Sequence, residues 1–431
     1  MHVFLRLYEA EGQVVTRDQL FLDCWAGVIV GDDSLNRAIA GVRQIATLAG
    51  GAAFELQTIP RTGYSLHRLA ETELPEENGL KLQRAIDSAL DCWRAGLPGD
   101  DPDVIAKLED AIDATPDDAR GWGVLALLLR KAVEYAPPEK CFKLIQRCDE
   151  AARYALSLDS RQSDARVAIA GVVPLLGNWL AARQRLLEVL ATDPDHRPAR
   201  HDLAVLEMAT GRPSAAGPMI ERLITEDPLA ATFYYKRVYH LWTLGELDEL
   251  EIVANRAMQL WPQHPAIWMA RFWTLLFTAR PEQARLLALD ENIALPMPPP
   301  MVHLLCGICA VRSSSASADE RQAMIEHATA LAKRGPVFAV TALLSLLALR
   351  AAPRALEVAY SYYLGRGTEA TPIWRRSEDT VVSDQTRRVT QLLFLPCAAE
   401  LRALPSFHDL CRDLGLLDYW RATCLTPDHL A

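Results

Sequence analysis

The sequence predicts a mainly α chain. A small unit of helices and a hairpin occupies residues 1–69, and an array of helix pairs follows it. Two observations carry this prediction. Gly177, Gly211 and Gly245 recur at intervals of 34 residues, as do Pro194, Pro228 and Pro262, within a stretch that is otherwise helical in pattern. Ahead of the array, residues 14–25 and 32–46 carry helix-start signals, and residues 54–69 read as a hairpin by turn chemistry.

MHVFLRLYEAEG (1–12) reads as a first helix. In VVTRDQLFLDCW, Thr16 supplies the N-cap of the next. In DDSLNRAIAGVRQIA, Asp33 or Ser34 serves as the cap, and Leu35, Ile39 and Val42 fall at i, i+4 and i+7, so they must face a small core. That leaves Asn36, Arg37, Ala40 and Gln44 facing outward. FELQTI then turns through Pro60, Arg61, Thr62 and Gly63 into YSLHRL.

Four pieces in order, G12-x-VVTR-x-x-L20, Trp25, SLNRAI-x-x-VR and TIPRTGY, resemble the effector domain of OmpR/PhoB-type response regulators, a winged helix-turn-helix. The resemblance covers about one sixth of the chain. It implies that the second helix of the helix-turn-helix lies in the DNA major groove and the hairpin wing near the minor groove. Asn36, Arg37, Ala40, Gly41 and Gln44 would then approach base edges. Arg43 and Arg61 would approach phosphate or the minor groove, and Thr16 and Arg17 the backbone. By the same analogy residues 26–33 would touch RNA polymerase. The chain departs from the family in three ways. Ala40 and Gly41 are small where relatives carry long donors, and residues 1–70 hold six Arg, no Lys and seven acids. Met1 also falls inside the first helix, so the usual N-terminal sheet is expected to be lacking and the true start to lie upstream. Without that sheet the wing is a two-stranded hairpin, which is marginal in water.

A net charge of −10 at 431 residues argues against wholesale nucleic-acid or membrane contact, so any such contact must be local. No signal-peptide pattern is visible at the start, and the longest apolar run, residues 337–349, is thirteen residues, short for a membrane span. The expectation is a cytoplasmic protein with no membrane contact. Nine cysteines are expected as free thiols, and Cys306 and Cys309, a CxxC within an apolar helix, as core residues.

After an acidic linker (70–79), helical repeats are expected over 80–289, clearest over 163–280. Each Gly of the series closes a helix, each Pro opens the turn after the next, and Ala279 continues the Gly series. A period of 34 resembles the tetratricopeptide repeat, whose units stack into an α-solenoid. Between Pro116 and Ser160 the spacing is 44, which places an insertion around EYAPPEK. On successive first helices, His201, Val205 and Met208, then Tyr235, Tyr239 and Trp242, then Met269, Trp273 and Leu276 each share one face. These side chains either pack between neighbouring helices or line a concave groove for a protein or peptide. His201, Met208, Tyr235, Tyr239, Trp242, Met269 and Trp273 are the candidate groove residues.

Residues 290–431 break the register. Four helices are expected near 301–312, 319–333, 336–350 and 352–365, and then a cap in which Phe407, Leu410, Leu414 and Trp420 close the last apolar face. No motif of catalysis, cofactor binding or metal ligation stands out, so the chain is not expected to be an enzyme and no cofactor is implied. The function read from these features is a one-component transcription regulator without a receiver domain. Its winged helix reads double-stranded DNA, while its solenoid senses or recruits a protein or ligand and forms a homodimer. The alternative is a repeat-type interaction scaffold whose winged helix no longer binds DNA.

Overall fold

The computed structural model describes every residue except 1, 26–30, 49–53, 61, 69–76, 97–101, 137, 174, 291, 294, 296, 314–315, 367–389 and 431. It is mainly helical and divides into two compact units, Met1–Glu77 and Asn78–Ala431.

The first unit runs α1 (His2–Glu9), β1 (Val15–Thr16), α2 (Arg17–Cys24), α3 (Asp32–Leu48), β2 (Phe54–Ile59) and β3 (Gly63–Arg68). Leu35, Ile39 and Val42 are buried as their spacing predicts, against Val3 and Leu7 of α1, Leu20 of α2 and the sheet residues Phe54, Tyr64 and Leu66. Thr16 caps α2 in a reciprocal box: its hydroxyl accepts from the Gln19 amide, and the Gln19 side chain accepts from the Thr16 amide. α3 begins at Asp32, before the expected caps, so Asp32 and Asp33 both sit in its first turn, where the helix dipole favours carboxylates. The hairpin is not alone. β1 pairs antiparallel with β3, Val15 opposite Tyr64 and Thr16 opposite Gly63, giving the order β1-β3-β2. Gly63 allows this crossing, because a Cβ there would overlap the Val15 carbonyl.

The second unit comprises α4 (Glu77–Ala95), whose first turn takes up the end of the acidic segment, α5 (Pro102–Asp113), α6 (Ala119–Tyr135), α7 (Pro138–Leu158), α8 (Ser163–Val172), α9 (Trp179–Thr192) and α10 (Arg197–Ala209). α11 (Pro213–Glu226), α12 (Ala231–Leu244), α13 (Leu247–Leu260), α14 (Pro265–Phe277), α15 (Pro281–Leu289) and α16 (Pro299–Ser313) follow. The period is kept to the residue: α8, α10, α12, α14 and α16 each start 34 residues after the one before, and so do α9, α11, α13 and α15. Gly177, Gly211 and Gly245 adopt φ of 83°, 81° and 78°, the left-handed turn that frees each pair to reverse, and Ala279 continues the series at 61°.

The ten extra residues between 116 and 160 fall around EYAPPEK as expected, where α6 ends and α7 begins. They lengthen α6 to 17 and α7 to 21 residues, against 13 or 14 in α9 to α14. One expectation is corrected here: the register beyond 290 is not lost. α16 is in step, α17 (Ala318–Ala332) starts three residues late, and α19 (Ala352–Leu364) again starts 34 residues after α17, with α18 (Pro336–Ala348) between them. Arg350, two residues before α19, repeats the left-handed turn at φ 52°.

The C-terminal part has 3-10 turns at Thr390–Phe394 and Pro396–Ala398, then α20 (Ala399–Arg402), α21 (Pro405–Asp413) and α22 (Leu416–Thr423). Phe407, Leu410 and Leu414 are buried as expected. They do not simply finish the last pair, however, because the segment returns to the glycine turns of α9 to α11. The Trp179 indole donates to the Leu414 carbonyl at 2.7 Å, and the Gly177 amide donates to the same oxygen at 3.0 Å. The Trp420 indole donates to the Thr210 carbonyl at 2.9 Å, and Asp428 accepts from the amide and hydroxyl of Ser214 at 2.7 and 2.9 Å. From the other end, Arg94 of α4 pairs with buried Asp227 at 2.6 Å, and the His264 ring bonds the Ala95 carbonyl at 2.7 Å.

Candidate functional site

α3 presents the outward face that its sequence predicts. Asn36, Arg37, Ala40, Arg43 and Gln44 are exposed and Gly41 is half-buried. Arg37 makes no ion pair among the described residues, so its guanidinium is available to a ligand. Two other arginines of the set are already engaged. Arg43 donates to the Thr58 hydroxyl at 2.7 Å, tying α3 to the hairpin. Arg17 donates to the Tyr64 hydroxyl at 2.9 Å and to Asp32 at 2.6 Å. Thr16 is half-buried in its capping box. Arg61, and residues 26–30 of the segment expected to meet RNA polymerase, lie outside the described residues.

Gly41 lies inside α3, and a Cβ built on it meets nothing within 4 Å. Gly41→Ala should therefore stabilise the first unit by about 0.5–1 kcal/mol, the ordinary gain of replacing a helix-interior glycine. A urea midpoint that fell instead would mean that Gly41 is needed for a contact within the fold.

The second unit contains a cavity of about 300 Å³. Its polar wall comes from the C-terminal part of α6 and from α10 and α12. Arg130, only 6% exposed, reaches Asp202 at 3.1 Å and Glu134 at 3.8 Å, while Lys131, 1% exposed, bonds Glu134 at 2.8 Å. Burial alone would push both carboxyls up. Arg130 and His201 outweigh it and hold Asp202 at about 2, and Lys131 and Arg130 likewise hold Glu134 below its ordinary value. Burial lowers His201, so its ring is neutral, with Nδ1 at 3.0 Å from Asp202. Gly171 makes room for this group, because a Cβ there would overlap the Arg130 guanidinium. Lys236 lies over the Tyr235 ring at 5.0 Å. The remaining wall is apolar: Leu186 and Leu206, Met269 and Trp273 of α14, Val340 of α18, and Leu392 of the returning segment.

Of the seven side chains expected on a groove, His201, Tyr235, Tyr239, Met269 and Trp273 line this cavity. All but half-buried Met269 are between 1% and 8% exposed, and Gln391 and Leu392 of the returning segment share the lining. Met208 instead packs between helices beside Ile220 and Phe233, and Trp242 stacks on Tyr239 and meets Phe277. Sequence reasoning missed Arg130, Lys131, Glu134, Asp202 and Lys236. A signal was present, since the pair Arg130-Lys131 interrupts an otherwise apolar run at 124–133.

Among the described residues no group of His, Cys, Asp or Glu could hold a metal ion, and no helix is long and apolar enough to cross a membrane. His196 serves α10 as its N-cap and bonds Asp164 at 3.0 Å. Cys309 is a buried free thiol, raised to about 12 by burial. No family model matches the chain, and no curated protein matches it.

Proposed function

We propose that the chain is a one-component transcription regulator, with an N-terminal winged helix-turn-helix that reads double-stranded DNA and a tetratricopeptide-like solenoid that senses a signal. The observation that carries the reading is α3. Its apolar residues Leu35, Ile39 and Val42 are buried, while Asn36, Arg37, Ala40 and Gln44 form one exposed face beside a hairpin. A helix with a polar face free for a groove, next to a hairpin, suits major-groove reading with a wing contact. Arg37 is the specificity contact in this reading. Arg43 and Arg17, held by Thr58 and by Asp32 and Tyr64, fix the angle of the helix and offer their remaining donors to phosphate.

The engagement of Arg17 with Asp32 favours a second reading, an interaction scaffold whose winged helix no longer binds DNA. Capture of fragmented genomic DNA on the full chain separates the two. Recovery of a shared sequence motif is expected, and Arg37→Ala should relax the preference at one position by about 1–3 kcal/mol. No enrichment at low salt, where phosphate contacts are strongest, would sink the regulator and leave the scaffold.

A further inference from the structure

We propose that the cavity of the helical unit binds a small amphiphilic organic anion, a carboxylate or similar group on a hydrocarbon body. This deepens the regulator reading, and rests on it, by naming the chemical class of the signal. The test below uses no DNA, so the two can fail separately.

Size comes first. About 300 Å³ is the lower end of small-molecule sites, and it corresponds to roughly ten water volumes. Val337, 49% exposed, shares the lining, so the cavity reaches solvent on the α18 side.

Charge decides the class of ligand. The wall carries three cations, Arg130, Lys131 and Lys236, against two carboxylates, Glu134 and Asp202. Arg130 and Lys131 use both carboxylates. Lys236 has no carboxylate within ion-pair distance among the described residues; its Nζ lies 5.0 Å from the Tyr235 ring centre, and Glu134 acts on it only at longer range. With His201 neutral, the wall keeps one positive charge unbalanced beside a largely apolar lining, where an anion gains more than in bulk water. Gln391, on the returning segment, has an amide oxygen with no hydrogen-bond partner among the described residues. A flip of that amide turns its NH2 toward an anion at little cost.

Across from this wall the lining is aliphatic and aromatic, with Met269, Trp273, Val340 and Leu392. A fully polar anion would leave these surfaces without a partner, and a neutral hydrocarbon would leave Lys236 unbalanced. A molecule with one charged end and an apolar body satisfies both.

Isothermal titration of the full chain, with each probe below its micelle concentration, tests the proposal using decanoate, 1-decanol and decylamine. Decanoate should bind one per chain and at least tenfold more tightly than decanol, with decylamine weakest. Lys236→Met should remove the advantage of decanoate and leave decanol unchanged, whereas Lys236→Arg should keep it. Val340→Trp, which fills the apolar side, should abolish binding of both, with circular dichroism confirming the fold. Equal binding of decanoate and decanol, a preference for decylamine, decanoate binding indifferent to these substitutions, or no binding at all would overturn the proposal.

Discussion

Arg130→Met should destabilise the helical unit by about 3–5 kcal/mol, the usual cost of removing one partner from a buried ion pair. Arg130 and Asp202 are 6% and 9% exposed, and apart from Arg130 the only group within ion-pair distance of Asp202, among the described residues, is neutral His201. Losing the guanidinium thus leaves a carboxylate that is 9% exposed without a cation in ion-pair distance among the described residues. The double variant Arg130→Met, Asp202→Leu should recover most of the loss, because two apolar side chains of similar volume need no partner. Urea denaturation of the three proteins checks this through their midpoints. A single variant within about 1 kcal/mol of the parent would show that the pair is solvated.

The second large effect is expected at Gly415. Gly415 and Gly177 meet back to back, both with left-handed φ, at 75° and 83°. A Cβ on Gly177 would point into open space, whereas one on Gly415 would lie 2.5 Å from the Gly177 Cα and 3.0 Å from its nitrogen. Gly177→Ala should therefore cost only the left-handed strain, about 1 kcal/mol. Gly415→Ala carries that strain and also forces the returning segment off its seat, for about 2–4 kcal/mol in all. The difference between the two midpoints isolates the clash. Equal losses would mean that the segment shifts without resistance.

Local chemistry made the first unit and the helix pairs legible. The i, i+4, i+7 spacing of Leu35, Ile39 and Val42, the cap at Thr16 and the turn glycines each act within a few residues, so each left a pattern. The third strand escaped notice because two residues, Val15 and Thr16, carry no alternation to recognise. The cavity was half legible. The aromatic residues follow the period, but the charged wall joins α6 to α10 across 72 residues, as from Arg130 to Asp202, and nothing local announces such a pairing. The return of α21 and α22 was hidden for the same reason. Its apolar residues looked like a cap, and no short-range signal says which face a cap covers.

That return changes how the unit must assemble. In a simple repeat array every contact is local, so folding can begin anywhere and spread between neighbours. Here the bonds from Trp179 to Leu414 and from Trp420 to Thr210 join residues 235 and 210 positions apart. The loop-closure entropy of such contacts is met only after the intervening pairs are ordered, which makes them late events in folding. Leu392 belongs to the cavity wall and Thr390 bonds the Ala209 carbonyl, so the chamber wall is complete only once the segment has docked. Filling it is therefore a property of the finished fold. A folding intermediate with every helix pair in place still lacks part of the chamber wall, and a molecule held there would favour the closed chain over its open precursor.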